Sequence, residues 1–188
     1  MAIEYGNSWV EIANRALARL SKGRIDSLTS GGGEMAQYCN TFLGEAIEAI
    51  LSARSWSIAT RVQLARSAET PAYGFLYSYP LPSETINLVH VDTDGSPYKP
   101  EGSTILTNSE YVYAVYIQRP ADPASLPGYL KRAIVTHLAF LLSSPLTSSQ
   151  QLANRSAQEA SLALEDAVRA DARRYETDEP EAWYDEAR

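Results

Sequence analysis

The sequence predicts an α+β fold: an antiparallel four-helix bundle with a small antiparallel β-sheet domain inserted between helices two and three. Three observations point there. Over residues 8–53, apolar side chains recur every three or four positions, the spacing of one helix face. Over residues 55–65 the period falls to two, with Trp56, Ile58, Val62 and Leu64 on one side and Ser57, Thr60 and Gln63 between them. Helical spacing returns only after Pro127. Residues 1–55 and 126–175 are therefore expected to form the bundle, and 56–125 the inserted β domain. Residues 176–188 form an acidic C-terminal tail. Trp56 is the expected structural hinge, buried where bundle and sheet meet.

Each element has a local reason. Asn7 and Ser8 suit an N-cap, and Glu11 stands three residues after Ser8, as a capping box requires. Trp9, Ile12, Ala13, Ala16, Leu17 and Leu20 then give a helix over 8–20, stopped by Gly23. The connector that follows has Ile25 and Leu28 to dock on the helices. A second helix, over 34–53, carries a wide stripe from Met35 and Tyr38 through Phe42 and Ile47 to Leu51. Residues 67–83 read as loop, because prolines 71, 80 and 82 lack the donors of a central strand. Residues 86–92 alternate and are β-branched, so they read as a strand, and Asp94-Gly95 is a hairpin signal. Residues 98–100, 103–107 and 111–118 complete one small sheet of four or five strands.

After the linker 120–127, Pro127 suits a helix start. Helix three runs from Tyr129 and Leu130 to Leu142 and is apolar nearly all round after Arg132, and Pro145 is expected to end it. Ser148 or Ser149 caps helix four, over 150–175. Its Ala-rich stripe buries little area alone and needs a close neighbour, either helix three or another subunit.

The chain has 188 residues and a net charge of −7, with a pI near 4.9. An acidic balance argues against tight nucleic-acid binding, which needs clustered Lys and Arg. A single cysteine, Cys39, excludes an internal disulfide and fits a reducing compartment. No signal peptide and no segment near ~20 apolar residues is found, so a protein made in the cytoplasm and not inserted in a membrane is expected.

Catalytic and cofactor patterns are missing. His137 lies in an apolar helix and reads as a core or interface histidine; no second His or Cys stands at metal spacing. Cys39 sits on the stripe of helix two and reads as a small buried hydrophobe. Gly31 to Gly33 lack the following Lys-Ser or Lys-Thr of a phosphate loop. Glu165 and Asp166 diverge around a helix. Neither a catalytic site, a cofactor nor a metal is expected, and the chain is not expected to be an enzyme.

Surface for other proteins is what remains. Twelve tyrosines are available, many beside the sheet, and tyrosine suits interfaces. Trp183, Tyr184 and Tyr175 at the tail, with Tyr77 and Tyr79 in the β region, are the expected partner-binding residues.

The order of motifs resembles the head-to-tail adaptor (connector) proteins of tailed bacteriophages, of the tail tubular protein A type. The matching pieces are Asn14-x-Ala16-Leu17-x-x-Leu20, Ile25-Asp26-Ser27-Leu28, Trp56-Ser57-Ile58-Ala59-Thr60-Arg61 and Tyr77-Ser78-Tyr79-Pro80-Leu81-Pro82-Ser83-Glu84. Ile117-x-Arg119-Pro120-x-Asp122, Leu126-Pro127, Leu138-Ala139 and Pro145-Leu146-Thr147 follow in order. Ser21 stands where the family has Gly, and Glu84 where Asp is commoner. The resemblance implies a structural virion protein forming a dodecameric ring at the head–tail junction, assembled in the host cytoplasm. Its partners would be the phage portal protein and the phage tail, through a nozzle or next tail component. Genomic DNA would pass through the lumen without specific binding. The alternative is a peptide- or small-molecule-binding module that uses the Tyr-rich sheet.

Overall fold

The computed structural model describes residues 6, 8–29 and 33–178, the side chains of 175–178 excepted. The order is α1 (Trp9–Arg19), α2 (Gly33–Ser52), β1 (Thr60–Gln63), β2 (Tyr77–Pro80), β3 (Thr85–Asp92), β4 (Tyr98–Glu101), β5 (Thr104–Thr107), β6 (Tyr113–Gln118), α3 (Gly128–Leu146) and α4 (Gln150–Asp178). The chain divides into a helical unit, Met1–Ile50 with Pro120–Arg188, and a β unit, Leu51–Arg119.

In the helical unit, Ser8 caps α1 by accepting from the Glu11 N–H at 3.2 Å. The helix ends in a Schellman turn, with Ser21 N–H donating to Ala18 and Lys22 N–H to Leu17. Ser21 holds φ +56°, the left-handed conformation that glycine adopts without cost. Buried Asn14 then fixes the connector: its amide donates to Ile25 C=O and its oxygen accepts from Ile25 N–H, both at 2.8 Å. The Asn14 and Ile25 motifs are thus two halves of one clamp.

The centre of this unit is α3, whose Leu130, Ile134, Leu138 and Leu142 are fully buried. It packs closely on α1 and, most extensively, on α4. The face that α4 buries is Ser156, Ala160, Ala163, Ala167 and Asp171. Small side chains at that spacing let the two helix axes approach. Buried Asp171 accepts from the Tyr129 hydroxyl at 2.6 Å, and Arg132 pairs with Asp166 at 3.4 Å. Pro145 does not stop α3; the helix runs through it to Leu146, the missing donor falling within the last turn.

Two three-stranded antiparallel sheets make up the β unit, ordered β1-β6-β3 and β2-β5-β4. They share a core of Leu64, Tyr79, Val91, Ile105, Val112, Ala114 and Tyr116. β3 carries two register shifts against β6, at 85–87 and 88–90, which bend it along its length. Asp94 and Gly95 both take positive φ, as a type I′ turn requires. The turn closes through Ser96 N–H to Thr93 C=O and Thr93 hydroxyl to Ser96 C=O. It does not make a hairpin, however: β3 and β4 belong to different sheets.

The expected antiparallel four-helix bundle with one small sheet inserted between helices two and three is therefore not what forms. The strands make two sheets. The tightest helix pair, α3 with α4, lies C-terminal to every strand. Among the described residues α2 makes no comparably close approach to another element. Its buried face mixes small Ala36, Cys39 and Ala46 with bulky Leu43, Ile47, Ile50 and Leu51.

The stretch 55–65 is a strand only at Thr60–Gln63. Ala59 N–H closes a turn on Trp56 C=O, so the earlier alternation belongs to a turn. Trp56, the expected hinge, is fully buried, with the Arg54 guanidinium 5.6 Å from its ring. Residues 67–83, expected as loop, contain β2. It is an edge strand, and Pro80 sits at its last position opposite Thr104, where the absent donor costs little.

Candidate functional site

The concentration of exposed large side chains is in the β unit: Tyr73, Leu76, Tyr98, Tyr111 and Tyr113. Tyr111 and Tyr113 stand together because of how the chain enters β6. Residues 108–112, between β5 and β6, have no regular structure but are held by hydroxyls. Thr107 Oγ1 accepts from Ser109 N–H at 3.2 Å and donates to Pro97 C=O at 2.9 Å. Ser109 Oγ donates to Tyr111 C=O at 2.7 Å, and Tyr79 OH donates to Ser109 C=O at 2.9 Å. A pinned loop of this kind presents Tyr111 in one place.

Tyr113 opens the central strand β6, directly across from Asp92 on β3 and diagonal to Arg61 on β1. Cross-strand and diagonal neighbours share a face. The Arg61 guanidinium lies 5.4 Å from the Tyr113 ring centre and reaches Asp92 Oδ2 at 3.5 Å. Asp92 Oδ1 also accepts from Asp94 N–H at 3.1 Å, fixing the turn beside it. Asp92, Asp94, Tyr111 and Tyr113 line a pocket of about 230 Å³. Small-molecule sites run to about 300–1,000 Å³, so this one is sized for a single side chain.

A larger open groove of about 500 Å³ lies along the other sheet, lined among others by Glu69, Pro71, Tyr73, Pro80, Glu101 and Leu106. Ser67 N–H donates to Ser78 C=O and Ser78 Oγ to Glu69 C=O, folding the loop over β2.

The expected partner-binding residues fare differently. Tyr79 is 1 % exposed and belongs to the core, so it offers no surface; burial raises its phenol above the ordinary range. Read as part of a loop it would face solvent, but it lies in β2 and the shared core claims it. Tyr77 is half-buried against the same core, with Arg66 at 4.8 Å over its ring. Trp183, Tyr184 and the Tyr175 side chain lie outside the described residues. Tyr111, Tyr113, Arg61, Asp92 and Asp94 were not singled out as a site. Their signal was the pairing of β6 with β1 and β3, which needs the register to read.

Elsewhere, Cys39 is buried and its thiol is pushed up to about 11, which keeps it protonated and unreactive at neutral pH. Burial lowers the His137 pKa, with Glu45 opposing, and its ring packs on Phe140 at 5.9 Å. Among the described residues no three His, Cys, Asp or Glu gather to hold a metal ion. Nor is any helix among them long and apolar enough to cross a membrane. No family model matches the chain, and no curated protein matches it.

Proposed function

We propose that the chain is a structural virion protein, a head-to-tail adaptor. Its copies form a dodecameric ring between portal and tail, and the genome passes through the lumen. The observation that carries this reading is what the residues of the resemblance do. Asn14 ties Ile25, Trp56 is fully buried, and Glu84 C=O accepts from Arg119 N–H at 2.7 Å. Asp122 caps the turn Pro123–Ser125 by accepting from Ala124 N–H at 2.7 Å, just before Leu126-Pro127 opens α3. Motifs weak one by one thus sit at junctions that hold this fold, in the family's order. An acidic chain of net charge −7 suits a lumen that must not retain DNA.

The measurement is mass in solution, with and without the portal protein of the same particle. Alone, the chain is expected as a monomer or weak oligomer; with portal it assembles as a ring of many copies. A monomer in both conditions, with no ring in particles, removes the reading. In the same assay, deletion of residues 176–188 should weaken portal attachment. Unchanged attachment removes Trp183 and Tyr184 as portal contacts.

The 500 Å³ groove beside Tyr73 favours a second reading, a peptide- or small-molecule-binding module. That reading predicts a constant monomer whose groove resonances shift with ligand.

A further inference from the structure

We propose that the pocket between Tyr111, Tyr113, Asp92 and Asp94 receives an arginine or lysine side chain of a protein partner. The β unit already makes this arrangement once. Arg61 lies over the Tyr113 ring at 5.4 Å and reaches the Asp92 carboxylate at 3.5 Å. A cation on a tyrosine face with an anion at its tip is favourable on both counts.

The other half of the pocket repeats those ingredients without the cation. The Tyr111 ring is 61 % exposed. The Asp94 carboxylate has no hydrogen-bond or ion-pair partner among the described residues; only its backbone N–H is used, toward Asp92. Two carboxylates against one guanidinium leave the pocket with an unmatched negative charge, which a second cation complements and an anion does not. At about 230 Å³ the cavity fits a side chain.

Both walls are fixed before anything binds. Hydroxyl bonds hold residues 107–111, and the type I′ turn holds Asp94 at φ +52°. A preformed site spends less binding energy on ordering itself. The inference does not depend on the ring: it holds equally for an adaptor and for a peptide-binding module.

The test is NMR titration of the full chain at low salt with acetyl-Gly-Arg-Gly-amide, and with the same peptide carrying citrulline, which keeps the shape and removes the charge. The arginine peptide should shift the Tyr111 and Tyr113 ring signals saturably, and the citrulline peptide should not. Tyr111→Ala and Asp94→Asn should each weaken binding about fivefold. Asparagine tolerates the left-handed backbone at 94, so that variant changes charge and not the turn. Tyr98→Ala, on the other sheet, should leave binding unchanged. No saturable shift, an equal response to citrulline, or full affinity in Tyr111→Ala overturns the proposal. So does self-association of the free chain that is lost in Tyr111→Ala, since the pocket would then belong to a second copy.

Discussion

Buried hydroxyls do different work in the two units. In the helical unit the Ser and Thr hydroxyls within α3 return to their own helix, Thr136 donating to the Arg132 and Ala133 carbonyls and Ser143 to Phe140, while the Tyr129 hydroxyl crosses to Asp171 of α4. In the β unit they tie together segments that backbone ladders do not join. Tyr79 reaches Ser109 across 30 positions, Thr107 reaches Pro97, and Ser78 reaches Glu69. A helix satisfies its backbone internally, so its cohesion with neighbours comes mainly from apolar burial, with side-chain pairs such as Tyr129–Asp171 added to it. Short strands leave loops whose backbone groups need partners, and side-chain hydroxyls supply them. The helical unit is therefore expected to be sensitive to lost volume, and the β unit to lost hydroxyls.

The largest effect tests the first half of that contrast. Leu138 is fully buried at the centre of α3. Leu138→Ala should cost about 2–5 kcal/mol, from lost transfer energy plus the cavity left behind. Chemical denaturation with a probe in each unit should show the loss in the helical transition. A loss under about 1 kcal/mol would mean the site collapses to fill the hole, and that α3 is not the organising helix.

A paired comparison tests the second half. Ser109→Ala removes the hydroxyl that donates to Tyr111 C=O and accepts from Tyr111 N–H. It should cost about 1–2 kcal/mol. Ser143→Ala removes a bond within one helix and should stay within about 0.5 kcal/mol, since alanine is the better helix former. Equal costs in the two variants would dissolve the distinction. Ser109→Ala should also broaden the Tyr111 ring signal, because the loop that presents it is loosened.

The same contrast explains what could be read from the chain. Helix three announced itself through the largely apolar run from Ala133 to Leu142, a signal carried by neighbours along one segment. Asp94-Gly95 was legible as a turn because turn chemistry is local. Which sheet each flanking strand joins was not: β4 pairs with the next strand, β5, but β3 pairs with distant β6, and nothing local in the sequence says that the two part company. β2 was hidden by Pro80 and Pro82, which forbid a central strand but permit the edge position it takes. Tyr79 and Tyr111 look alike in the sequence; only the packing of two sheets buries one and exposes the other. The pocket was invisible for the same reason: Arg61, Asp92 and Tyr113 come from three strands and meet only through register.

A smaller effect has the opposite sign. Ser21 closes the Schellman turn of α1 at φ +56°, where a side chain costs about 1 kcal/mol relative to glycine. Ser21→Gly should stabilise the helical unit by up to that amount, less what added freedom in the unfolded chain takes back. The Leu17 and Ala18 carbonyls keep their partners, because both donors are backbone N–H groups. A rise in the helical transition with no change in the β transition is the expected result; a fall would show that the Ser21 side chain has a stabilising role of its own.

The smallest effect concerns the charged link between α1 and α4. Glu159 accepts from Arg155 at 2.8 Å on its own helix and from Arg19 of α1 at 2.7 Å. The hydrogen bond from Arg155, then the nearby Arg155 and Arg19 charges, hold its carboxyl below the ordinary 4.5 against the opposing pull of partial burial. A carboxyl depressed in the folded state stabilises it above the unfolded value and loses that contribution as pH falls through the folded value. Arg155 is largely exposed, so screening keeps the link below about 1 kcal/mol. Glu159→Gln should thus lower stability slightly at neutral pH, and the difference from the parent chain should shrink once pH drops below 4.5. Denaturation midpoints measured across that range check the sign. A difference that persists or grows in acid would mean that the substituted amide is felt through packing on α1, and that volume governs the helical unit even at its charged rim.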